Sequence, residues 1–185
     1  MIAGYYLSTT YHSGLAVLEG NASGRNGSSE RGIAHMAYKG VLLTTNQALH
    51  ADDYLETGGG LFVALMQSDG NLVVYPGEQA VHLGPRAERG AVWASGSYSD
   101  TQQCVALMQS DGNFVIYPTP DAVGKAPTEQ TGAIWATNTS GPGGKFYVIL
   151  ERDGVLAVRS GEPGDPDSRL LWESREPNPF SSLEQ

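Results

Sequence analysis

At 185 residues and 19.6 kDa the chain suits one domain, with or without an appendage, and it is long enough to bury a core without disulfide or metal staples. Its 20 Asp and Glu against 11 Lys and Arg give a formal charge of −9, a field that repels a nucleic-acid duplex or an anionic membrane surface. No apolar run approaches the roughly 20 residues that span a bilayer, and a lone cysteine, Cys104, has no internal disulfide partner.

The first residues, "MIAGYYLSTTYHSG", lack a basic stretch followed by an apolar one, so no signal peptide is expected. If Met1 is the natural start, synthesis is cytoplasmic and any release takes another route. "YYLSTTYHSGLAVLEG" alternates like a strand or hairpin, and "NASGRNGSSERG" after it reads as a flexible linker. The rest of the chain is dominated by a repeat of 42 residues. "VALMQSDGN" occurs unchanged at Val63–Asn71 and Val105–Asn113, and Trp93 recurs as Trp135. A third, weaker copy, "YVILERDGVLAVRSG", keeps the register at Asp153, and its tryptophan, Trp172, arrives 37 residues after Trp135.

Within each unit, two short apolar and β-branched runs flank an Asp-Gly pair, which predicts a hairpin closed by a type I′ turn. "AVWAS", "AIWAT" and "LLWES" read as a further strand with its aromatic turned inward. Between hairpin and tryptophan lie "PGEQAVHLGPRAERG" and "PTPDAVGKAPTEQTG", read as surface loops with a little order of their own. No segment carries a helical stripe. The fold class is therefore all-β, with three sheets of about four strands around an axis where the tryptophans share a core. A propeller is excluded, because three repeats are too few for its blades.

The repeated polar residues are Gln67, Asp69, Asn71, Val73 and Tyr75, then Gln109, Asp111, Asn113, Val115 and Tyr117. Asn, Val and Tyr alternate, so they share one strand face, with Asp at the turn and Gln ending the partner arm. Together they offer a carboxylate, two amides, a phenol and a small apolar surface. That set matches a vicinal diol on a sugar ring, whose hydroxyls donate and accept while the C–H face wants an apolar contact. It does not match catalysis, since each copy holds one carboxylate and no neighbouring base or nucleophile. A calcium loop would need more acidic ligands, and no cofactor or metal is expected. A purely structural reading stands beside these, because Asp-Gly-Asn makes a good turn unaided.

The pattern Gln-x-Asp-x-Asn-x-Val-x-Tyr, in tandem units each closing on Trp-Ala-Ser/Thr, resembles the monocot bulb-type mannose-binding lectins, over about Val41 to Glu176. The lead-in "LLTTNQALHADDYLETGGG" looks like that family's opening strands. The resemblance implies a β-prism II fold of three tandem four-stranded subdomains with pseudo-three-fold symmetry. It divides the chain into an extension, 1–40, a lectin domain, 41–176, and a tail, 177–185. It also implies that Gln, Asp, Asn and Tyr bind α-mannose while Val packs on the ring, without a metal. The family's disulfide is lost, because Cys104 matches one partner and Gly70 stands at the other. The third motif reads Glu151, Asp153, Val155, Ala157, Arg159, and is expected to be silent or to recognise something else through Arg159. The expected partners are mannose or mannosylated glycans, with avidity from two sites per chain and room for a homodimer. Two rivals remain: a bacteriocin-like effector built on the same domain, and a protein-interaction module that has lost the sugar. An enzyme is the least expected class.

Overall fold

A computed structural model describes residues 36–77, 90–101 and 103–175. The expected N-terminal hairpin and linker, most of the first loop and the C-terminal tail lie outside the described residues. The chain divides into Met1–Ile33 and Ala34–Gln185, and all the described residues belong to the second unit.

Four short strands come before the first repeat: β1 (Ala37–Tyr38), β2 (Leu42–Thr44), β3 (Ala48–His50) and β4 (Asp53–Glu56). The repeats follow as β5 (Phe62–Met66), β6 (Leu72–Pro76) and β7 (Trp93–Ala94), then β8 (Val105–Met108), β9 (Phe114–Tyr117) and β10 (Trp135–Ala136). The third is β11 (Phe146–Leu150), β12 (Leu156–Ser160) and β13 (Arg169–Glu173). Each repeat supplies a hairpin and an edge strand carrying its tryptophan, and these make three antiparallel strands of one sheet.

The fourth strand of every sheet comes from the lead-in. β2 pairs with β11 of the third repeat, β3 with β8 of the second, and β4 with β5 of the first. One stretch of 15 residues thus visits all three sheets, in reverse order, and ties them together before any repeat begins. Asn46 and Asp52 make its two corners at φ of 68° and 69°, a left-handed conformation that Asn and Asp tolerate better than most residues. Each of the three strands sends one leucine, Leu43, Leu49 or Leu55, into the central core. β1, from the segment expected to precede the domain, adds a fifth strand parallel to β4.

The core repeats with the sequence period. Ala64, Ala106 and Val148 are equivalent, as are Met66, Met108 and Leu150, Leu72, Phe114 and Leu156, and Val74, Ile116 and Val158; all are buried. At the axis the three tryptophans meet in a triangle, with ring centroids 5.7, 5.6 and 5.5 Å apart and interplanar angles of 68°, 70° and 78°. Every pair is edge to face, the arrangement the ring quadrupoles favour. The sheets are thereby held as a three-fold β-prism, as expected.

The hairpin turns depart from expectation. A type I′ turn needs positive φ at both central residues, yet among the described turn residues only Gly70, Gly112 and Gly154 have it, at 89°, 88° and 84°. In the first copy, the Gly70 N–H donates to the Gln67 carbonyl at 3.0 Å and the Gln67 N–H to the Asn71 carbonyl at 2.9 Å. This is a longer turn closed by a left-handed glycine bulge. Its cause is the aspartate: the Asp69 carboxylate accepts the Asn71 N–H at 3.1 Å, and Asp111 and Asp153 repeat the bond at 3.0 and 3.3 Å.

The same glycines close the prism. A Cβ on Gly112 would fall 2.7 Å from the Phe146 ring, one on Gly154 2.7 Å from the Phe62 ring, and one on Gly70 2.9 Å from the Cys104 Sγ. Phe62, Cys104 and Phe146 are the same position of the repeat, so each turn is roofed by the next sheet in a closed cycle. Gly154→Ala must therefore both strain the backbone and displace a packed ring. Gly164 has φ of 88° with open space around it, so Gly164→Ala meets only the strain. In urea unfolding, Gly154→Ala is expected to destabilise more than Gly164→Ala by about 1–3 kcal/mol; equal losses would show that the turn contact contributes nothing.

Candidate functional site

The two intact motifs fold into the same hydrogen-bonded unit. The Gln67 Nε2–H donates to the Tyr75 hydroxyl at 2.8 Å, and the Gln109 Nε2–H to the Tyr117 hydroxyl at 3.0 Å. Leu72 and Val74 face the core, which turns Val73 and Tyr75 to the outer face; Val115 and Tyr117 follow suit on β9. Glutamine, valine and tyrosine are thus brought to one patch in each copy, with the aspartate turn at its end. Burial raises the Tyr117 phenol pKa and the nearby Asp111 charge raises it further, against the opposing hydrogen bond from Gln109, so the hydroxyl keeps its proton at neutral pH.

The asparagine has a second task that the spacing did not reveal. The Asn71 Oδ1 accepts from the Ser95 hydroxyl at 2.9 Å and the Gly96 N–H at 3.0 Å. The Asn113 Oδ1 accepts from the Thr137 hydroxyl at 3.1 Å and the Thr139 N–H at 3.3 Å. Ser95 and Thr137 also accept the Leu72 and Phe114 N–H groups at 3.0 Å, and so fasten the strand behind each tryptophan to its hairpin. The Oδ1 end of each asparagine amide thus belongs to the fold. The recurring Ser or Thr two residues after each tryptophan was the available signal.

Despite identical motif residues, the two patches differ. The first is closed: Gln67, Asp69, Asn71, Val73 and Tyr75 are all buried, and the Asn71 Nδ2–H reaches the Tyr98 hydroxyl at 3.4 Å. The Asp69 Oδ2 lies buried with no hydrogen-bond donor among the described residues. In the second, Asp111 and Asn113 are partly exposed, while Gln109, Val115 and Tyr117 are buried. There the loop before β10 forms two 3-10 turns, Pro120–Ala122 and Pro127–Glu129. Ala122 packs with Val115 and Tyr117, and the Gln109 Nε2–H also donates to the Gln130 Oε1. Neither Tyr98 nor Gln130 was singled out from sequence, because nothing local marks them.

The degenerate third copy is filled by ion pairs. An Arg159 guanidinium nitrogen donates to the Glu151 Oε1 at 2.7 Å, across the same eight-residue step that joins Gln to Tyr elsewhere. That hydrogen bond raises the Arg159 pKa. Arg175 holds the Asp153 Oδ2 at 2.8 Å. Arg159 is thereby paired within its own hairpin. Among the described residues, no three His, Cys, Asp or Glu side chains are placed to hold a metal ion, and no helix is long and apolar enough to cross a membrane.

No family model matches the chain, and no curated protein matches it. Solved structures do. The chain is 30% identical to a monomeric monocot mannose-binding lectin from Gastrodia elata, with a TM-score of 0.52, over 72% of this chain and 96% of that one. A lectin from Marasmius oreades, 18% identical, shares the fold with a TM-score of 0.56, over 76% of this chain and 96% of that one. Three sheets of four to five strands around a tryptophan axis, with an identity of 30% across nearly the whole of the Gastrodia lectin, place the chain in the β-prism II family of the monocot mannose-binding lectins.

Proposed function

We propose that the protein is a carbohydrate-binding lectin, not an enzyme, that recognises α-mannose or mannose-containing glycans through its two intact motifs. The observation that carries this reading is the unspent chemistry left after the fold has taken its share. In both copies one aspartate oxygen closes the turn and one asparagine oxygen clamps the tryptophan strand. What remains is the other carboxylate oxygen, exemplified by the buried Asp69 Oδ2, together with the Asn113 Nδ2 end and the protonated Tyr117 phenol of the second copy. An acceptor beside donors is what a sugar diol requires, and a buried carboxylate oxygen without a donor calls for one. The 30% identity to the Gastrodia mannose-binding lectin supports the same reading.

The second copy, with Asp111 and Asn113 partly exposed, is the more accessible of the two. Each site alone binds weakly, because polar contacts near the surface replace water at little net gain. Two sites on one chain, facing a surface dense in mannose, gain by effective concentration. A second reading, a protein-interaction module that has kept the prism and lost the sugar, is favoured by the burial of Val73, Tyr75 and Val115, the residues that would meet the ring.

Asp→Asn separates these readings without breaking the turn, since the Asn Oδ1 still accepts the turn N–H while the other oxygen becomes a donor. Wild-type protein is expected to be retained on mannose-agarose. The Asp69→Asn, Asp111→Asn double variant, with unchanged unfolding, is expected to lose at least about tenfold in affinity. Equal retention of both proteins would remove these motifs from sugar binding, and no retention of wild type would leave the interaction module. A Glu151→Gln, Arg159→Met variant replaces the ion pair of the third copy and should bind mannose as wild type does; loss of binding would show the third copy to be active.

A further inference from the structure

We propose that Gln130 is a specificity-determining residue of the second motif, a tethered amide whose oxygen stands where a sugar hydroxyl would accept from Gln109. The proposal rests on the sugar-binding reading above and assigns a control to one of its two sites. The Gln109 amide has two N–H bonds. One goes to the Tyr117 hydroxyl and the other to the Gln130 Oε1, so no donor of this amide is left for a ligand. Gln130 is itself held at both ends, because its Nε2 donates to the Ala122 carbonyl at 2.9 Å and the Lys125 carbonyl at 3.0 Å.

The anchor runs back to the motif. Ala122 packs on Val115 and Tyr117, so the first 3-10 turn is seated on the patch and delivers the carbonyl that orients Gln130. The second turn is braced by its own bond, from the Ala126 N–H to the Glu129 Oε2 at 3.2 Å. Between the turns lies a cavity of about 150 Å³ bordered by Gln130, Thr119 and Lys125, which gives the side chain room to withdraw. A glycan entering the second motif therefore competes with an acceptor already in place at high effective concentration. A ligand with one suitable hydroxyl merely exchanges one hydrogen bond for another. One that makes further contacts displaces Gln130, so the loop discriminates in favour of larger glycans.

Isothermal titration with methyl α-mannoside tests this in an Asp69→Asn background, where the second motif is read alone. Adding Gln130→Leu, which keeps the bulk and removes the acceptor, is expected to raise affinity about fivefold, the factor of one ordinary hydrogen bond. Adding Glu129→Ala instead loosens the same loop but leaves Gln130 present, and is expected to leave affinity unchanged. The proposal is overturned if Gln130→Leu binds no better than its parent, or if Glu129→Ala gives the same gain. When wild type and parent bind and Gln130→Leu adds nothing, only the role of Gln130 falls. If wild type and all variants are folded and bind no mannoside, the sugar-binding reading falls with it.

Discussion

Three indole rings meeting edge to face on one axis are the contact on which the rest of this structure depends. None of the sheets could bury its inner face alone, and the triangle of Trp93, Trp135 and Trp172 gives all three a common partner. Each tryptophan sits on a very short edge strand in the first two repeats, so the strand needs fastening of its own. Ser95, Thr137 and Ser174 do this by accepting the first N–H of each hairpin's return strand. In the intact copies the hydroxyl is in turn held by the motif asparagine. Core and candidate site are thereby parts of one hydrogen-bonded chain, and the asparagine serves both.

That coupling explains how the third copy can lose its motif and keep its fold. Val155 replaces the asparagine, yet Ser174 still accepts the Leu156 N–H at 2.9 Å. The glutamine and tyrosine are replaced together by Glu151 and Arg159, which restore the cross-strand link as an ion pair. Such a half-buried pair contributes modestly to stability. It also engages the two side chains at the glutamine and tyrosine positions with each other.

Much of this was legible from the chain. The 42-residue period, the hairpins, the inward tryptophans and the alternation of Val73 with Val74 follow from residue types and spacing, because strand geometry alternates faces whatever the surroundings. The turn type was misjudged: the Asp-Gly pair does make a turn, but the Asp69 side chain bonds the Asn71 N–H and only the glycine goes left-handed. The lead-in was recognisable as opening strands by resemblance. Its distribution, one strand to each sheet, was not, since three-residue strands with one leucine each carry almost no periodic signal.

The sequence by itself determined the three-fold repeat, the polar set at Gln67 to Tyr75 and Gln109 to Tyr117, and the loss of that set in the third copy. Tertiary structure alone decided that two identical nine-residue strings become unlike sites. Local chemistry sets which side chains leave a strand face, but what covers them arrives from distant residues. Tyr98 meets Asn71 from 27 residues away, and Gln130 meets Gln109 from 21. A pairing at that separation depends on how the loops close over the sheets, and no spacing within the motif encodes it.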